Sequence, residues 1–437
     1  MSVTNRLVPL CALVALSLGC SWARFDDVTD NPPVERLKAP SSTSSLGLSL
    51  AAHTGAMGSS LVAAASDRIV LYDLGSGTTP STTATASQSC VGDNSCVLAR
   101  GLASLKSPAL TNDIGCVAYG MGMLTESSGT VSGKLWLFCD GAERRSLDLP
   151  ASMQTWLSNR ALTNETALYL GAPHSISALV AAAPEASLAW FYPSSSPFAF
   201  ELPSLPDGKK PGRAVAVIPH DTGYAVLVSS MTTDELWLYA VDSTPSATLT
   251  GCIQGPAQFG RLLSTGNFDG DGIDDLLVAD GTTVYAIAGS SLVTFSASSI
   301  TECTSVASLQ LLATASCANL KDVIGCNSQP FASAITSANL DGTGTDELVI
   351  GVAEAVVRGE SAAGAVLAYT LENGTFVVKE GLFVSSAAGG DRLGTSVAAV
   401  PAGNLERIAA GAPGDNSVME FFCNSLVPAE SKAARCP

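Results

Sequence analysis

An acidic loop near the middle of the chain carries the side chains best suited to bind a metal ion. Positions 1, 3, 5 and 9 of this loop are occupied by Asn267, Asp269, Asp271 and Asp275, and the carbonyl of Ile273 falls at position 7. This is the spacing of oxygen ligands in EF-hand-like calcium loops. Three carboxylates so close together repel one another unless a cation lies between them. The pattern therefore predicts a calcium site, and the alternative is a solvated acidic turn.

A second loop further along the chain repeats the spacing with weaker ligands. The ligand positions are taken by Asn339, Asp341, Thr343 and Glu347, with the Thr345 carbonyl at position 7. Thr343 stands where the first loop has a carboxylate, and Glu347 is longer than the usual Asp, so a weak calcium site and an empty loop both remain open. A third copy has lost the pattern, and its equivalent residues are Gly403, Asn404 and Glu406.

Residues capable of acid–base or nucleophilic catalysis are scattered along the chain. The three histidines, His53, His174 and His220, lie in different repeats. The sequence has no phosphate-binding loop, dinucleotide-binding glycine motif, zinc-protease motif or nucleophile elbow. Acidic pairs could resemble a glycosidase dyad, but the sequence does not define their separation. We therefore predict no catalytic residues and no cofactor other than calcium.

Short strands separated by turns must position these loops. The clearest unit starts at Phe259 and shows strand-like runs over 260–265, 276–280 and 283–288. Two further copies start at Phe331 and Leu393, and four weaker copies lie upstream. The seven units start near residues 46, 100, 154, 212, 259, 331 and 393.

The spacing and composition of the units predict an all-β fold, a seven-bladed β-propeller of four-stranded antiparallel blades. Spacings of about 47 to 72 residues fit one blade each. Small-residue runs such as VAAA, LGAP and AAGAP suit strands that converge on the propeller axis, whereas WLF, WFY and WLY fill the space where outer strands separate. The alternative is one or two β-sandwiches whose alternation matches by chance.

The segments FG, GNFDGDGIDDLLV and GAP resemble the FG-GAP repeats of integrin α-subunit propellers. The resemblance is clearest over 259–288, 331–370 and 393–422, and it is faint before residue 250. It implies an FG-GAP type propeller with calcium loops. It does not imply integrin function, because the sequence shows neither an inserted metal-dependent adhesion domain nor leg domains.

Composition and charge narrow the class of protein. Hydrophobic residues make up 46% of the chain and charged residues 14%, with 40 Gly and 22 Pro, which indicates a large core and many turns. The formal charge of −17 argues against a nucleic-acid partner, because phosphate backbones attract Lys and Arg clusters that this chain lacks.

The N-terminus has the pattern of an export signal. Arg6 precedes the apolar run 7–19, whose helix would rise about 20 Å, too little for a bilayer core of about 30 Å. Leu18-Gly19-Cys20 resembles the lipobox of bacterial lipoproteins, in which the Cys becomes the lipidated N-terminus, although Ser17 stands where Leu is preferred. An ordinary cleaved signal is the alternative.

These features predict three segments. Residues 1–19 are a lipoprotein signal peptide, 20–45 a tether rich in polar residues, and 46–437 the propeller. The expected location is the bacterial cell envelope, attached to the membrane by lipid only. Ser21 lacks the acidic character that retains many lipoproteins at the inner membrane, so we expect the outer membrane.

Ten cysteines remain once Cys11 leaves with the signal and Cys20 carries lipid. An even number in an exported chain indicates disulfides. We predict the pairs Cys90–Cys96, Cys116–Cys139, Cys252–Cys303, Cys317–Cys326 and Cys423–Cys436. A hairpin turning near 127–128 would set Cys116 and Cys139 opposite each other, at the Cα separation of about 5.5 Å that a disulfide prefers. Cys252–Cys303 could instead exchange partners with Cys317 or Cys326.

The function that these features favour is binding. By the integrin-like mapping, the partner meets the upper face, and the candidate recognition loops are 120–133, 174–187 and 351–364. The last loop carries Glu354, Arg358 and Glu360, and its partner is a protein or a cell-surface glycan. The alternatives are a polysaccharide-active lyase or hydrolase, which propellers also host, and a purely structural envelope protein.

We predict that Cys20 is the mature N-terminus and is acylated, because an apolar run followed by Leu-Gly-Cys precedes the polar tether. Two or more acyl chains anchor a protein stably, whereas one does not. Mass spectrometry of the N-terminal peptide from cells should find acylated Cys20. An unmodified Cys20, or cleavage at another position, would contradict the prediction.

Overall fold

The computed structural model describes most of the chain after residue 33. The described residues are 34–40, 45–55, 58–66, 68–75, 84–89, 96–105, 116–125, 130–138, 144–158, 168–172, 178–193, 199–242, 246–295, 302–317, 330–384 and 388–421. The predicted signal peptide and Cys20 lie outside these residues.

The described strands form seven sheets. The first two contain β2 (Ser49–Gly55), β3 (Gly58–Ala64), β4 (Arg68–Gly75) and β5 (Ala84–Ser89), then β6 (Cys96–Leu105), β7 (Cys116–Thr125), β8 (Thr130–Phe138) and β9 (Arg144–Leu147). The third and fourth contain β10 (Tyr169–Gly171), β11 (Leu179–Ala183), β12 (Leu188–Tyr192) and β13 (Phe200–Glu201), then β14 (Pro211–His220), β15 (Gly223–Ser230), β16 (Glu235–Asp242), β17 (Ala247–Gln254) and β21 (Thr304–Ser305).

The remaining three sheets lie in the second half of the chain. They contain β18 (Leu262–Gly266), β19 (Asp275–Ala279), β20 (Thr283–Ile287) and β22 (Leu311–Ser316); β23 (Ala334–Ala338), β24 (Glu347–Val352), β25 (Ala365–Glu372) and β26 (Thr375–Leu382); and β27 (Val397–Ala402), β28 (Leu405–Ala412), β29 (Ser417–Phe421) and β1 (Val34–Lys38). Six sheets have four antiparallel strands, and the sheet of β14–β17 has a fifth, because β21 pairs parallel to β17.

The helical segments that the structure describes are short. They are the α-helices Ala151–Ser158 and Gly289–Val293 and the 3₁₀ turns Pro184–Ala186, Pro206–Gly208 and Val306–Ser308. None of the described helices has the length and apolar character needed to cross a membrane.

The sheets are arranged around a central channel. Each innermost strand contacts the innermost strand of the next sheet, and the last of them contacts the first. In order around the ring, these strands are β2, β6, β10, β14, β18, β23 and β27. All seven strands line a channel of about 210 Å³ on the axis of this ring. The fold is therefore an all-β propeller with four-stranded antiparallel blades, as the composition and turn spacing predicted.

Where the repeat pattern is clear, the predicted strands match the structure. The runs predicted at 260–265, 276–280 and 283–288 become β18, β19 and β20. The third unit, predicted to start near 154, differs, because the helix Ala151–Ser158 precedes it and its first strand starts at Tyr169. The small-residue runs VAAA and AAGAP lie mostly in the second strands β3 and β28, which are buried between neighbouring blades.

The N-terminal strand β1 closes the propeller. It pairs antiparallel with β29, so the last sheet combines strands from both ends of the described chain. Leu37 is fully buried, and the Tyr72 hydroxyl of the first sheet donates to the Lys38 carbonyl at 2.8 Å. The prediction that 20–45 is only a tether and that the folded body starts at 46 was therefore wrong. Residues 34–38 belong to the fold because they bury an apolar side chain and complete a sheet.

Glycines permit close backbone contact between consecutive blades. A Cβ added at Gly351 on β24 would collide with the carbonyl oxygen of Gly394, in the segment that leads into the next blade. Gly411 on β28 has the same relation to Gly47, which leads into the first blade. Gly394 and Gly47 have φ values of 88° and 93°, in the left-handed region that favours glycine. Both seams therefore require a glycine on each side.

One predicted disulfide is confirmed. Cys252 on β17 is bonded to Cys303 with a Cα separation of 4.6 Å, beside the parallel pairing of β17 and β21. The bond ties the connection between β20 and β22 to the edge of the preceding sheet. Cys116 and Cys317 are also disulfide-bonded, but the partners predicted for them, Cys139 and Cys326, lie outside the described residues. The pairings Cys116–Cys139 and Cys317–Cys326 therefore stay predictions, and so do Cys90–Cys96 and Cys423–Cys436.

A buried carboxylate lies beside the closing strand. Glu420 on β29 is 0% exposed and faces Glu35 of β1 in the strand register. Arg407 donates to one of its carboxylate oxygens at 3.0 Å, and the other, Oε2, has no hydrogen-bond partner among the described residues. Burial raises the pKa of Glu420 to about 7, with a smaller contribution from Glu35 and an opposing one from Arg407.

This carboxylate should make the stability of the protein depend on pH. Because the pKa of Glu420 is higher in the folded protein than its ordinary 4.5, protonation stabilises the fold. That stability is complete below pH 4.5 and is lost as the pH rises through about 7. Glu420→Gln should remove a pH dependence of about 3 kcal/mol from the free energy of unfolding, since the pKa of Glu420 rises from 4.5 to about 7.

Chemical denaturation across this pH range measures the effect. Glu372→Gln is the matched control, since the Glu372 side chain is 45% exposed and pairs with Lys379. It should leave the pH dependence of the wild type intact. An equal pH dependence in Glu420→Gln and wild type would contradict the assignment.

Candidate functional site

The predicted calcium loop connects β18 to β19 and folds through side-chain to backbone hydrogen bonds. The Asn267 Oδ1 accepts from the Gly270 amide at 2.9 Å, Asp269 Oδ1 from the Asp271 amide at 3.0 Å, and Asp271 Oδ1 from the Ile273 amide at 2.7 Å. These successive turns hold the polar side chains along one tight loop. Gly270 and the glycine two residues later adopt φ values of 80° and 85°, as the turn requires.

Asp275 is the buried end of this loop. It is 0% exposed, and its two carboxylate oxygens accept from the amides of Phe268 at 2.8 Å and Gly289 at 2.9 Å. Burial raises the pKa of Asp275 to about 7 against the effect of these two hydrogen bonds, and the charges of Asp269 and Asp271 raise it further. The structure therefore brings the three predicted carboxylates within electrostatic range of one another.

The second loop, between β23 and β24, has the same backbone shape. Asn339 Oδ1 accepts from the Gly342 amide at 2.7 Å and Asp341 Oδ1 from the Thr343 amide at 2.8 Å. Glu347 takes the place of Asp275: its Oε2 accepts from the Leu340 amide at 2.8 Å, while its buried Oε1 has no hydrogen-bond partner among the described residues. Burial raises the pKa of Glu347 to about 8.

The Thr343 and Thr345 side chains complete the second loop in a different way from the first. Their hydroxyls lie 3.1 Å apart and hydrogen-bond to each other. In the part of the chain that the structure describes, no three His, Cys, Asp or Glu side chains converge closely enough to hold a metal ion. Calcium also accepts Asn side-chain and backbone carbonyl oxygens as ligands.

Acidic residues adjacent to the predicted ligands join neighbouring blades, and the sequence analysis missed them. The Asp346 carboxylate accepts from the Asn267 amide at 2.8 Å, while the Asp346 amide donates to the Asn267 carbonyl at 2.8 Å. Glu406 makes the same pair of bonds to Asn339, at 2.9 and 2.8 Å. The doublet Asp346-Glu347 is the local signal for this role in the second loop.

These contacts surround the lower opening of the channel. An opening of about 460 Å³ is lined there by residues that include Asp274, Asp346, Glu406 and the asparagines Asn267, Asn339 and Asn404. Glu406, which the sequence placed in a lost calcium loop, thus holds two blades together.

His220 lies at the end of β14, where its Nδ1 is 3.2 Å from the Thr222 hydroxyl. Burial lowers the pKa of His220. His174 and the side chain of His53 lie outside the described residues.

The opposite face is formed by the loops between second and third strands and by the connections between blades, because the strands alternate in direction. Loop 351–364 is one of these, as predicted, since β24 ends at Val352 and β25 starts at Ala365. Its backbone is joined to the next connection: the Gly390 amide donates to Ser361 at 3.0 Å and the Arg392 amide to Ala362 at 3.0 Å.

Charged side chains lie on these two joined loops. The Glu354 carboxylate lies 3.3 Å from Arg392, and the Arg358 guanidinium lies 5.3 Å from the centre of the Phe383 ring. Arg358, Ala362 and Arg392 have φ values between 51° and 58°, which non-glycine residues rarely adopt. Extensive backbone contacts are needed to hold such residues in place.

The other two predicted recognition loops were wrong in extent. In 120–133, β7 continues to Thr125 and β8 starts at Thr130, so most of the segment is a strand hairpin. In 174–187, β11 occupies Leu179–Ala183 and all five of its residues are buried. The error has a physical origin, because LVAAA is a second strand packed between two blades, and the preceding LGAP belongs mainly to the first strand.

Comparison with known proteins yields likeness of fold alone. No protein-family model matches the chain, and no curated protein matches it either. A solved structure of streptogramin B lyase is 9% identical with a TM-score of 0.47, and the alignment covers 89% of this chain and 96% of that one. A mitotic checkpoint complex structure is 9% identical with a TM-score of 0.48, covering 89% of this chain and 94% of that one.

Proposed function

We propose that this chain is a binding module of the bacterial cell envelope, anchored by lipid at Cys20, whose FG-GAP type propeller recognises a protein or a glycan. We also propose that the propeller has seven blades, the five-stranded sheet being one of them. In that sheet β14 to β17 have the same order as the strands of the other sheets. Its innermost strand, β14, contacts the innermost strands on both sides, β10 and β18.

The joined loops 351–364 and 388–394 are the observation that carries the binding function. They present charged side chains, including Glu354, Arg358 and Arg392, on a backbone held by several hydrogen bonds. Such a surface loses little conformational entropy when a partner binds, which favours affinity. Binding residues are typically carried on loops that a rigid scaffold positions.

A comparison of variants tests this proposal. In the test variant Glu354, Arg358 and Glu360 are replaced by Ser, Asn and Ser; in the control, Glu372 and Lys379 on β25 and β26 are replaced by Ser. The full chain is immobilised and exposed to envelope protein and glycan fractions. A component retained by wild type and control should fall about tenfold or more with the test variant, as expected for removal of central contact residues. Identical retention by all three would contradict the proposal.

We propose that calcium stabilises the loop at 267–275. The ion would be held by side-chain oxygens of Asn267, Asp269, Asp271 and Asp275 and by the Ile273 carbonyl. The support is the charge at Asp275: two backbone amides only partly offset the burial of this carboxylate beside two further carboxylates, and a cation would offset the remainder. A bound ion would supply positive charge that cancels this repulsion. The buried, unpartnered Glu347 Oε1 gives the second loop weaker support of the same kind.

Calcium should raise the midpoint of thermal unfolding of the wild type. The gain is about 2.7 kcal/mol when calcium is 100-fold above the dissociation constant, which is roughly 10⁻⁴ to 10⁻³ M in extracellular modules. Asp271→Ala should remove most of the calcium-dependent shift, and Thr343→Asp should add to it by restoring a carboxylate. Because the pKa of Asp275 is raised to about 7, calcium should bind more weakly below that pH.

The measurement is the difference between midpoints with calcium and with chelator, so that any direct effect of a substitution on the fold cancels. Glu372→Gln, an acidic side chain outside both loops, should keep the wild-type difference. If the wild-type midpoint does not move and calorimetry detects no calcium binding, the loop is an acidic turn only.

A further inference from the structure

A second cleft lies on the upper face, between the sheet of β14–β17 and the sheet that starts with β18. Its volume is about 390 Å³, within the range of small-molecule sites, which is about 300–1,000 Å³. It is lined by residues 229–234, 258–261 and Arg213. Two of its three charged residues are arginines, in a chain whose formal charge is −17. The residues lining the cleft therefore have a net positive charge in a protein that is acidic as a whole.

A β-bulge presents Arg213 to this cleft. The register between β14 and β15 shifts between Pro211 and Val215, and Arg213 in this stretch is exposed. The Ser229 hydroxyl is inserted at the bulge, where it accepts from the Ala214 amide at 3.1 Å. A Cβ at Gly212 would collide with Ser229, so the bulge depends on this glycine. Bulges of this kind redirect a side chain and are common beside functional sites.

Arg261 forms the opposite side of the cleft. Its guanidinium donates to the carbonyl of Ala332 in the following blade, which fixes its position. Its Nε is buried and has no hydrogen-bond partner among the described residues. Asp280 lies within electrostatic range of Arg261, but the Asp280 carboxylate accepts hydrogen bonds from Thr282, Thr283 and Tyr285. Arg261 lines the cleft and is only partly buried, so the remaining donors of its guanidinium can face a ligand there.

Hydroxyl groups and one apolar side chain line the remaining wall. Ser230 ends β15, and Thr232 and Thr233 lie on the loop that leads to β16; their hydroxyls hydrogen-bond to one another. Met231 in the same loop is 39% exposed, and only Leu48 is more exposed among the large hydrophobic side chains that the structure describes. Gln258 has a φ of 66°, held by the Asp234 carboxylate, which accepts from the Gln258 amide at 2.6 Å.

We propose that this cleft binds an acidic carbohydrate through a sugar carboxylate. The arginines supply charge-assisted donors that match carboxylate geometry. The hydroxyls of the wall can both donate to and accept from sugar hydroxyls. The Met231 side chain offers an apolar surface to the C–H face of a sugar ring. A bare anion would use the arginines alone, whereas a uronate sugar uses all three features.

This inference rests on the proposed binding function of the upper face, and it names a ligand class for a part of that face that is separate from loop 351–364. Its test is a calorimetric titration of the full chain with oligogalacturonate. The matched ligand is the methyl ester of the same oligosaccharide, which keeps the hydroxyls and removes the charge. An oligoglutamate of similar charge distinguishes a sugar site from a site for any acidic chain.

Oligogalacturonate should bind, and the ester should bind at least about tenfold more weakly. Added salt should weaken the binding of oligogalacturonate. Arg213→Gln should weaken binding about tenfold without changing the unfolding midpoint, since Arg213 is exposed. Arg261→Lys should also weaken it, because Lys lacks the planar donor pair. Lys379→Gln removes one positive charge outside the cleft and should have no effect.

No binding of oligogalacturonate, equal binding of ester and acid, or equal binding of oligoglutamate would overturn the proposal. Binding unchanged by Arg213→Gln and Arg261→Lys would also overturn it. These outcomes are distinct from failure of the proposed function. Retention of envelope components that depends on loop 351–364 can succeed when the titration fails, and the titration can succeed when that retention fails.

Discussion

Close contact between the backbones of consecutive blades is the constraint on which this structure depends. At two seams, between Gly351 and Gly394 and between Gly411 and Gly47, a side chain on either glycine would separate the blades. Hydrogen bonds across the last seam, such as that from the Ser396 hydroxyl to the Gly47 carbonyl at 2.7 Å, depend on the same approach. Because the blades form a closed ring, an error in spacing at one seam would have to be absorbed by the others. The glycines therefore set the geometry of the central channel as well as the local packing.

Burial of both faces of the second strands has an electrostatic consequence. Asp275 and Glu347 begin such strands, and Glu420 lies on the neighbouring strand of the last blade; all three are 0% exposed. A carboxylate removed from water must gain hydrogen bonds, a proton or a cation. Asp275 obtains two backbone amides, Glu347 one, and Glu420 an arginine. Burial is the largest cause of the raised pKa at each of the three sites, and the partners that lower the pKa differ from one site to the next.

The charged side chains make different contacts on the two faces of the propeller. On the lower face, acidic side chains accept hydrogen bonds from backbone amides of the same loop or of the neighbouring blade, as Asp346 and Glu406 do. On the upper face, the charged residues Arg213, Arg358 and Arg392 lie on bulges and connections whose backbone is held by hydrogen bonds of its own. A propeller can vary these upper side chains without disturbing its seams. This separation supports the proposal that the upper face binds the partner.

Local patterns were enough to predict the turns at 267–275 and 339–347, the strands of the clearest repeats and the propeller class, because each follows from residue types a few positions apart or from the repeat spacing. Contacts between distant residues fix the rest, including the partner of Cys252, since more than one pairing was open from the residues alone. The strand at Val34–Lys38 looked like a tether because its one buried side chain, Leu37, faces a partner strand almost 400 residues away. The cleft of Arg213 and Arg261 joins residues from two blades, and no local pattern marks it. Segment 174–187 looked like a loop because its small residues suit both turns and closely packed strands, and only the neighbouring blades distinguish the two.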